Sequence, residues 1–180
     1  MVFIKKLTAS SSGTLSFVNG ASSVVLDDTY KEYVFTFKNI HPATDVKNFT
    51  FQVDTGTNTN YNQTVTSTQF NSQADEANSS VGVGYNQSGD QAQGTAFQSI
   101  MERCGNDNDS CVAGSLHLFS PSSSVFVKHF VANCQAEQTA ESRNFFTAGY
   151  FNTTTALTSV QFKMSSGAIA SGDICLYGIA

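Results

Sequence analysis

Apolar and polar residues alternate with a period of two along most of this chain, the pattern of strands that bury one face. In Glu32–Lys38, Tyr33, Phe35 and Phe37 share one face while Thr36 and Lys38 take the other. In Asn48–Val53 the apolar set is Phe49, Phe51 and Val53. Further strands are expected at 111–119, 124–134, 145–151, 157–164 and 173–179, with weaker ones at 2–7, 14–18 and 23–26. The β-branched, polar run Tyr61–Thr68 reads as a strand near a sheet edge. Residues 71–89, rich in Asn, Ser and Gly, read as a surface excursion holding one short strand at Val81–Tyr85.

Turn signals separate these segments. Asn19-Gly20 suits a tight hairpin, and the only prolines, Pro42 and Pro121, fall in polar loops at 41–45 and 120–123. Ser165-Ser166-Gly167 and Ser171-Gly172-Asp173 punctuate the last third. One stretch departs from period two. Ala92, Ala96, Phe97, Ile100 and Met101 recur at helical spacing between Asp90, a candidate cap, and Gly105, a candidate stop. This predicts one short amphipathic helix near 91–103, lying over a sheet edge. The expected fold is all-β, a two-sheet, jelly-roll-like sandwich formed by residues 1–180 as a single domain.

Composition supports this and narrows function. Ser, Thr, Asn and Gln supply 67 of the 180 residues, whereas charged residues make up only 13%. Phe, at 15, is the main large core residue, and Trp is absent. A net charge of -5 with a pI near 4.9 offers no basic patch for phosphate, which argues against nucleic acid. No apolar run approaches the length of a membrane-spanning helix, so membrane insertion is not expected. Met1–Lys6 lacks the apolar stretch of a signal peptide, so synthesis in a cytoplasm is expected.

The side chains that carry chemistry are sparse. Cys104, Cys111, Cys134 and Cys175 have the spacing of no zinc module. Cys104 and Cys111 bracket a polar loop and would close a small disulfide only in an oxidising medium; otherwise they are buried thiols. His117 and His129 fall on successive strands and would share a sheet face across a hairpin, without a carboxylate near either in sequence; His41 stands apart. The acid pairs Asp27-Asp28 and Asp75-Glu76 sit in turn-like contexts, where adjacent carboxylates face water. A glycosidase would need two of them opposed across a cleft. Asp107 and Asp109 in the loop after the expected helix have oxygen ligands suited to calcium but lack the glycine and glutamate of an EF-hand. Asn58, Asn60, Tyr61 and Tyr85 offer the amides and aromatic faces of a sugar site. Asn-x-Ser/Thr triplets at Asn48, Asn62, Asn78, Asn86 and Asn152 follow from composition. No nucleophile elbow or phosphate-cradling loop occurs, and no catalytic residue, cofactor or metal ligand is assigned.

The run from Ala148 to Gly167, followed by Ile169-Ala170-Ser171-Gly172 and the closing Leu176-Tyr177-Gly178, resembles the ending of a family of tailed-bacteriophage virion proteins. In that family an apolar strand enters an "SSGNIASG" turn and leaves in an "LYG" strand. Leu116–Ser123 with Phe126–Phe130, and Tyr30–Phe37, are similar to its other recurrent segments, in the same order. Similar chains occur among marine phages, especially those of cyanobacteria. The resemblance covers most of 23–180 and departs at Ala168, where the pattern has Asn, and in 71–89 and 135–146. It implies a concanavalin-like sandwich exposed on a virion, as a capsid decoration or a tail appendage. The expected partners are other virion proteins and further copies of the chain, as a homotrimer. The alternative is a lectin-like tail-fibre module that recognises host surface glycans. No enzymatic activity is expected under either reading.

Overall fold

The period-two segments form two antiparallel sheets in the computed structural model, which describes residues 1–180. Twelve strands and a single turn of 3-10 helix (Gln87–Gly89) make up the regular structure. In chain order they are β1 (Val2–Ser12), β2 (Leu15–Val18), β3 (Glu32–Pro42), β4 (Lys47–Thr55), β5 (Val65–Asp75), β6 (Val81–Tyr85), β7 (Gln98–Cys104), β8 (Val112–Phe119), β9 (Lys128–Gln138), β10 (Glu141–Phe151), β11 (Leu157–Met164) and β12 (Ile169–Ile179). The large sheet has the order β1-β12-β3-β8-β9-β10-β5-β6 and the small one β2-β11-β4-β7. The first four strands alternate between sheets: β1 and β3 flank β12, while β2 and β4 flank β11. This winding is jelly-roll-like, and it closes the two ends of the chain against each other.

The inward faces carry the residues that the alternation singled out. Tyr33, Phe35, Phe37, Leu116, Leu118 and Phe130 of the large sheet meet Phe17, Phe49, Phe51, Val160 and Phe162 of the small one in one buried cluster. Phe162 lies at its centre. Its ring is within 5.2 Å of Phe35, 5.4 Å of Phe37 and 5.9 Å of Phe49, centroid to centroid, with Phe17 and Phe51 slightly farther. Most of these pairs are edge-on or tilted, the arrangement that ring quadrupoles favour.

The helix predicted near 91–103 is absent. Residues 90–97 form an ordered coil, bridged to β5 at Val65↔Gly94, and 98–104 form β7. The false signal has a structural cause. β7 gains a residue against β4 between the pairs Thr50↔Ser99 and Phe49↔Met101, and another before Lys47↔Cys104. Each bulge slips the strand's phase by one, so Gln98, Ile100, Met101 and Cys104 all turn inward at a spacing that mimics a helix. The coil before β7 stays in place because buried glutamines satisfy its carbonyls. Gln52 Nε2 donates to Ala96 O at 3.0 Å and Gln98 Nε2 to Gly89 O at 2.8 Å.

Other expectations shift in detail. Residues 23–26 are not a strand, although Val24 and Leu26 are buried; Leu26 N donates to Asn19 Oδ1 at 2.9 Å. Asn19-Gly20 makes a turn but no hairpin, because β2 and β3 belong to different sheets. The strand expected at 61–68 begins only at Val65 and runs to Asp75, and it is covered by β6 rather than forming the edge. The strand expected at 124–134 starts at Lys128, leaving Val125 and Phe126 exposed in the preceding loop.

Replacing Phe162 by Ala removes the ring on which five others pack. It is expected to cost about 3–5 kcal/mol, the range for a fully buried aromatic whose site cannot collapse. Phe162→Leu should cost less. Denaturant unfolding followed by fluorescence or circular dichroism measures both; a loss under about 1 kcal/mol for Phe162→Ala would contradict the central role assigned here.

Candidate functional site

The outward face of the large sheet gathers the side chains that neither the core nor the turns use. Strand register sets them in rows. One row runs Phe3, Tyr177, Val34, His117, Val131, Ala148, Thr68, each the paired neighbour of the next. In the adjoining row Asn133, Phe146, Phe70 and Tyr85 follow in order. Phe70 and Phe146 stack in parallel at 4.9 Å between centroids, and both rings are open to solvent. On the other side, His129, Tyr150 and Thr66 form a third row, with the His129 and Tyr150 rings 6.0 Å apart.

Ala148 is the short side chain among these longer ones, and a depression of about 370 Å³ opens above it. Its walls are His129, Val131, Tyr150, Thr66 and Thr68. Gly149, next along, points inward; a Cβ there would lie 2.8 Å from the Phe130 ring, so glycine lets the core ring sit directly beneath the depression. The rim is a hydrogen-bonded polar array. Gln93 Nε2 donates to Thr66 Oγ1 at 2.6 Å, and Asn152 Nδ2 donates to Gln93 Oε1 at 2.9 Å. The Tyr85 hydroxyl meets both Thr68 and the Asp90 carboxylate. Aromatic faces, hydroxyls and amides in a shallow, almost uncharged hollow suit the binding of a polar, uncharged surface or ring.

The histidines resolve differently. His117 and His129 do share this face, as expected from their strands, but stand in different rows. A carboxylate reaches His117 in space, although none is near it in sequence. Glu32 of neighbouring β3 places Oε1 2.6 Å from Nδ1. The partner lies 85 positions away along the chain, so only strand order brings it close. The half-exposed pair is stacked against Phe119 and orients the imidazole. His41 bonds through Nδ1 to the carbonyl of Ser110 at 2.7 Å, whereas the Ser110 hydroxyl donates to Glu137 at 2.7 Å. Its hydroxyl is therefore aimed away from His41, and the three side chains do not form a relay.

The remaining candidates are turn-formers. Asp27 accepts from Thr29 N at 2.8 Å, Asp28 pairs with Lys31, and Asp75 accepts from Ser79 N at 2.7 Å. Hydrogen bonds from these neighbours hold all three carboxyls below the usual range, which keeps them charged. One acid pair lies in the β2–β3 connection and the other at the end of β5, and they are not opposed across a cleft. Asp107 and Asp109 lie in a turn closed by Ser110 N donating to Asp107 O at 3.0 Å. No group of three or more His, Cys, Asp or Glu side chains is gathered in a way that would hold a metal ion. The sugar-site quartet is dispersed: Tyr61 turns inward beside Phe97, Asn58 and Asn60 stay on the exposed β4–β5 loop, and Tyr85 stands on the outward face. The depression over Ala148 was not visible in sequence, because its walls come from the β9–β10 hairpin and from β5, which pairs with β10 out of chain order.

Two buried ionisable groups are structural. Asp54 is fully buried and accepts from Thr55 N, Tyr61 N and Gln63 Nε2 at 2.8–3.1 Å, pinning the β4–β5 loop. Lys128 is fully enclosed and donates to the carbonyls of Phe126 and Thr153, tying two loops together; burial pulls its ammonium below the usual lysine value.

No family model matches this chain, and no curated protein does. A solved structure of a structural-genomics protein of unknown function from Bacteroides ovatus shares 10% identity over 58% of this chain, with a TM-score of 0.29. The match spans 45% of that protein's length, and a likeness so slight carries no argument. No helix is long and apolar enough to cross a membrane.

All four cysteines are free thiols in this structure. Burial pushes the Cys104 thiol up to about 12 and raises Cys134 as well, whereas Cys111 and Cys175 are half-buried. A thiolate is the reacting form. In the folded protein at pH 8, Cys111 and Cys175 are therefore expected to react with a disulfide reagent, and Cys104 and Cys134 only after denaturation. Reaction of all four at one rate in the native protein would contradict this assignment.

Proposed function

We propose that this chain is a non-enzymatic structural protein of a tailed-phage virion, displayed on the particle surface as a capsid decoration or tail-appendage subunit. It acts by protein–protein contact. The observation that carries this reading is the outward face of the large sheet. It is broad, carries Lys6, Glu32 and Asp173 among its polar side chains, and bears exposed Phe3, Val131, Phe70, Phe146, Val83 and Tyr85. Contiguous exposed apolar side chains on such a face mark an interaction surface. The family-like segments point the same way: Leu116–Phe119, Phe130 and Ala148–Phe151 all lie on the central strands of that sheet. Neighbouring virion proteins are the expected partners, and neither nucleic acid nor membrane is. The small share of charged residues lets identical copies approach one another.

Mass spectrometry of purified phage particles tests the reading directly. The chain should be found in mature virions at a stoichiometry tied to a capsid or tail symmetry. Its presence in infected-cell lysate together with its absence from purified particles would overturn it.

A second reading has its own observation. The hollow over Ala148, with the Tyr150 and His129 rings and the Thr66 and Thr68 hydroxyls, has the chemistry of a glycan subsite. Under this reading the chain is a lectin-like receptor-binding module. Binding on a glycan array that Tyr150→Ala abolishes, without loss of thermal stability, would support it. An array that stays blank for the wild type would remove it.

A further inference from the structure

The two edges of the large sheet are built in opposite ways. β1, at one edge, carries Lys5 and Lys6 and a register break between Phe3 and Lys5, devices that discourage another strand from adding. β6, at the other edge, has none of them. Val81-Gly82-Val83-Gly84-Tyr85 contains no charge and no proline, its ladder to β5 is unbroken, and every residue is exposed. No charged residue occurs between Glu76 and Asp90.

The main chain of β6 defines what the open edge offers. Asn86 N donates to Gln69 O, and Asp75 N donates to Ser80 O. Even-numbered positions of this hairpin arm therefore bond inward to β5, and by the alternation of an antiparallel ladder the N–H and C=O groups of Val81, Val83 and Tyr85 point outward, unpaired. Their side chains all stand on the outward face, 61%, 77% and 65% exposed respectively. The opposite face bears only Gly82 and Gly84, beside which a Cβ would meet nothing within 4 Å.

We propose that β6 is a self-pairing edge, joining a second copy of this chain across a two-fold axis at Val83 to make one continuous sheet. The strand is complementary to itself in this arrangement. Val83 exchanges both main-chain bonds with Val83 of the partner subunit, and Val81 exchanges both with Tyr85 of the partner subunit, as does Tyr85 with the partner's Val81. All the outward groups are satisfied, the apolar side chains meet on one face, and the glycines meet on the other. The neutral strand brings no like charge to the axis. A strand of another protein would find the same main-chain groups, but β6 itself matches them in length, neutrality and placement of apolar side chains. The contact is isologous, so by itself it produces dimers and not rings. The inference goes beyond the virion reading and is tested without particles.

Sedimentation equilibrium at tens of micromolar, combined with amide hydrogen exchange, tests it. Wild type is expected at twice the 19.3 kDa subunit mass, with the Val81, Val83 and Tyr85 amides protected. Val83→Lys should halve the mass and release those amides, while Gly82 and Gly84 keep the protection that β5 supplies. Val83→Thr, equally strand-forming and uncharged, should remain dimeric, and unchanged melting of both variants shows that the sandwich is intact. Wild type at the single-subunit mass with free Val81, Val83 and Tyr85 amides overturns the proposal, including the case in which that edge then takes up a foreign strand. An oligomer of any size that Val83→Lys leaves unaltered overturns it too.

Discussion

The packing of aromatic rings around Phe162 is the constraint on which the sandwich depends. Phe162 belongs to β11, the strand flanked by both β2 and β4, so its ring is the point where the small sheet presses on β3 of the large one. Edge-to-face and tilted contacts from Phe17, Phe35 and Phe37 fix the separation and rotation of the two layers. A chain with no Trp and few long aliphatic residues has little else with which to fill that gap. Once the layers are set, every outward row on the large sheet follows from register.

The sheets are unequal, eight strands against four, and the excess creates a problem that buried amides solve. The inner face of β5 extends beyond β7, and the coil from Asn86 to Phe97 fills the space beside it. A coil in that position leaves carbonyls away from water, which is costly unless each is paired. Gln52 and Gln98, both fully buried, supply those donors, while buried Gln69 accepts from Asn86 Nδ2; Gln52 alone reaches carbonyls of Gln63, Thr95 and Ala96. The same coil positions Gln91 and Gln93 against Ser67 and Thr66 at the rim of the Ala148 hollow. Support of the core and shaping of the surface are thus done by one segment. Its polar side chains, which in the sequence read partly as a surface excursion and partly as one face of a helix, are what allow it to be ordered.

Much of the architecture was legible because a half-buried strand imposes a period of two on its own sequence, independently of its neighbours. Tyr33-Phe35-Phe37 and Phe49-Phe51-Val53 face inward as their alternation requires. The low-charge, hydroxyl-rich surface also followed from composition alone. The reading failed at β7 because bulges are set by the partner strand: Ile100 and Met101 both turn inward only because β4 pairs past one of them. It failed at 23–26 because Val24 and Leu26 are buried by a loop that Asn19 clamps, and burial without a ladder leaves the same apolar signature as a strand.

The chain by itself therefore determined the class of fold, the identity of its core and the low share of charge on its surface, since each is a property of residues taken singly or within a few positions. Tertiary structure alone decided which strands lie side by side. From that order come the Glu32–His117 pair, the hollow over Ala148 and the unpaired edge at Val81, Val83 and Tyr85. The physical reason is that hydrogen bonding in a sheet is blind to side-chain identity. Any strand can pair with any other, and the choice is made by how the whole set of apolar faces is buried at once.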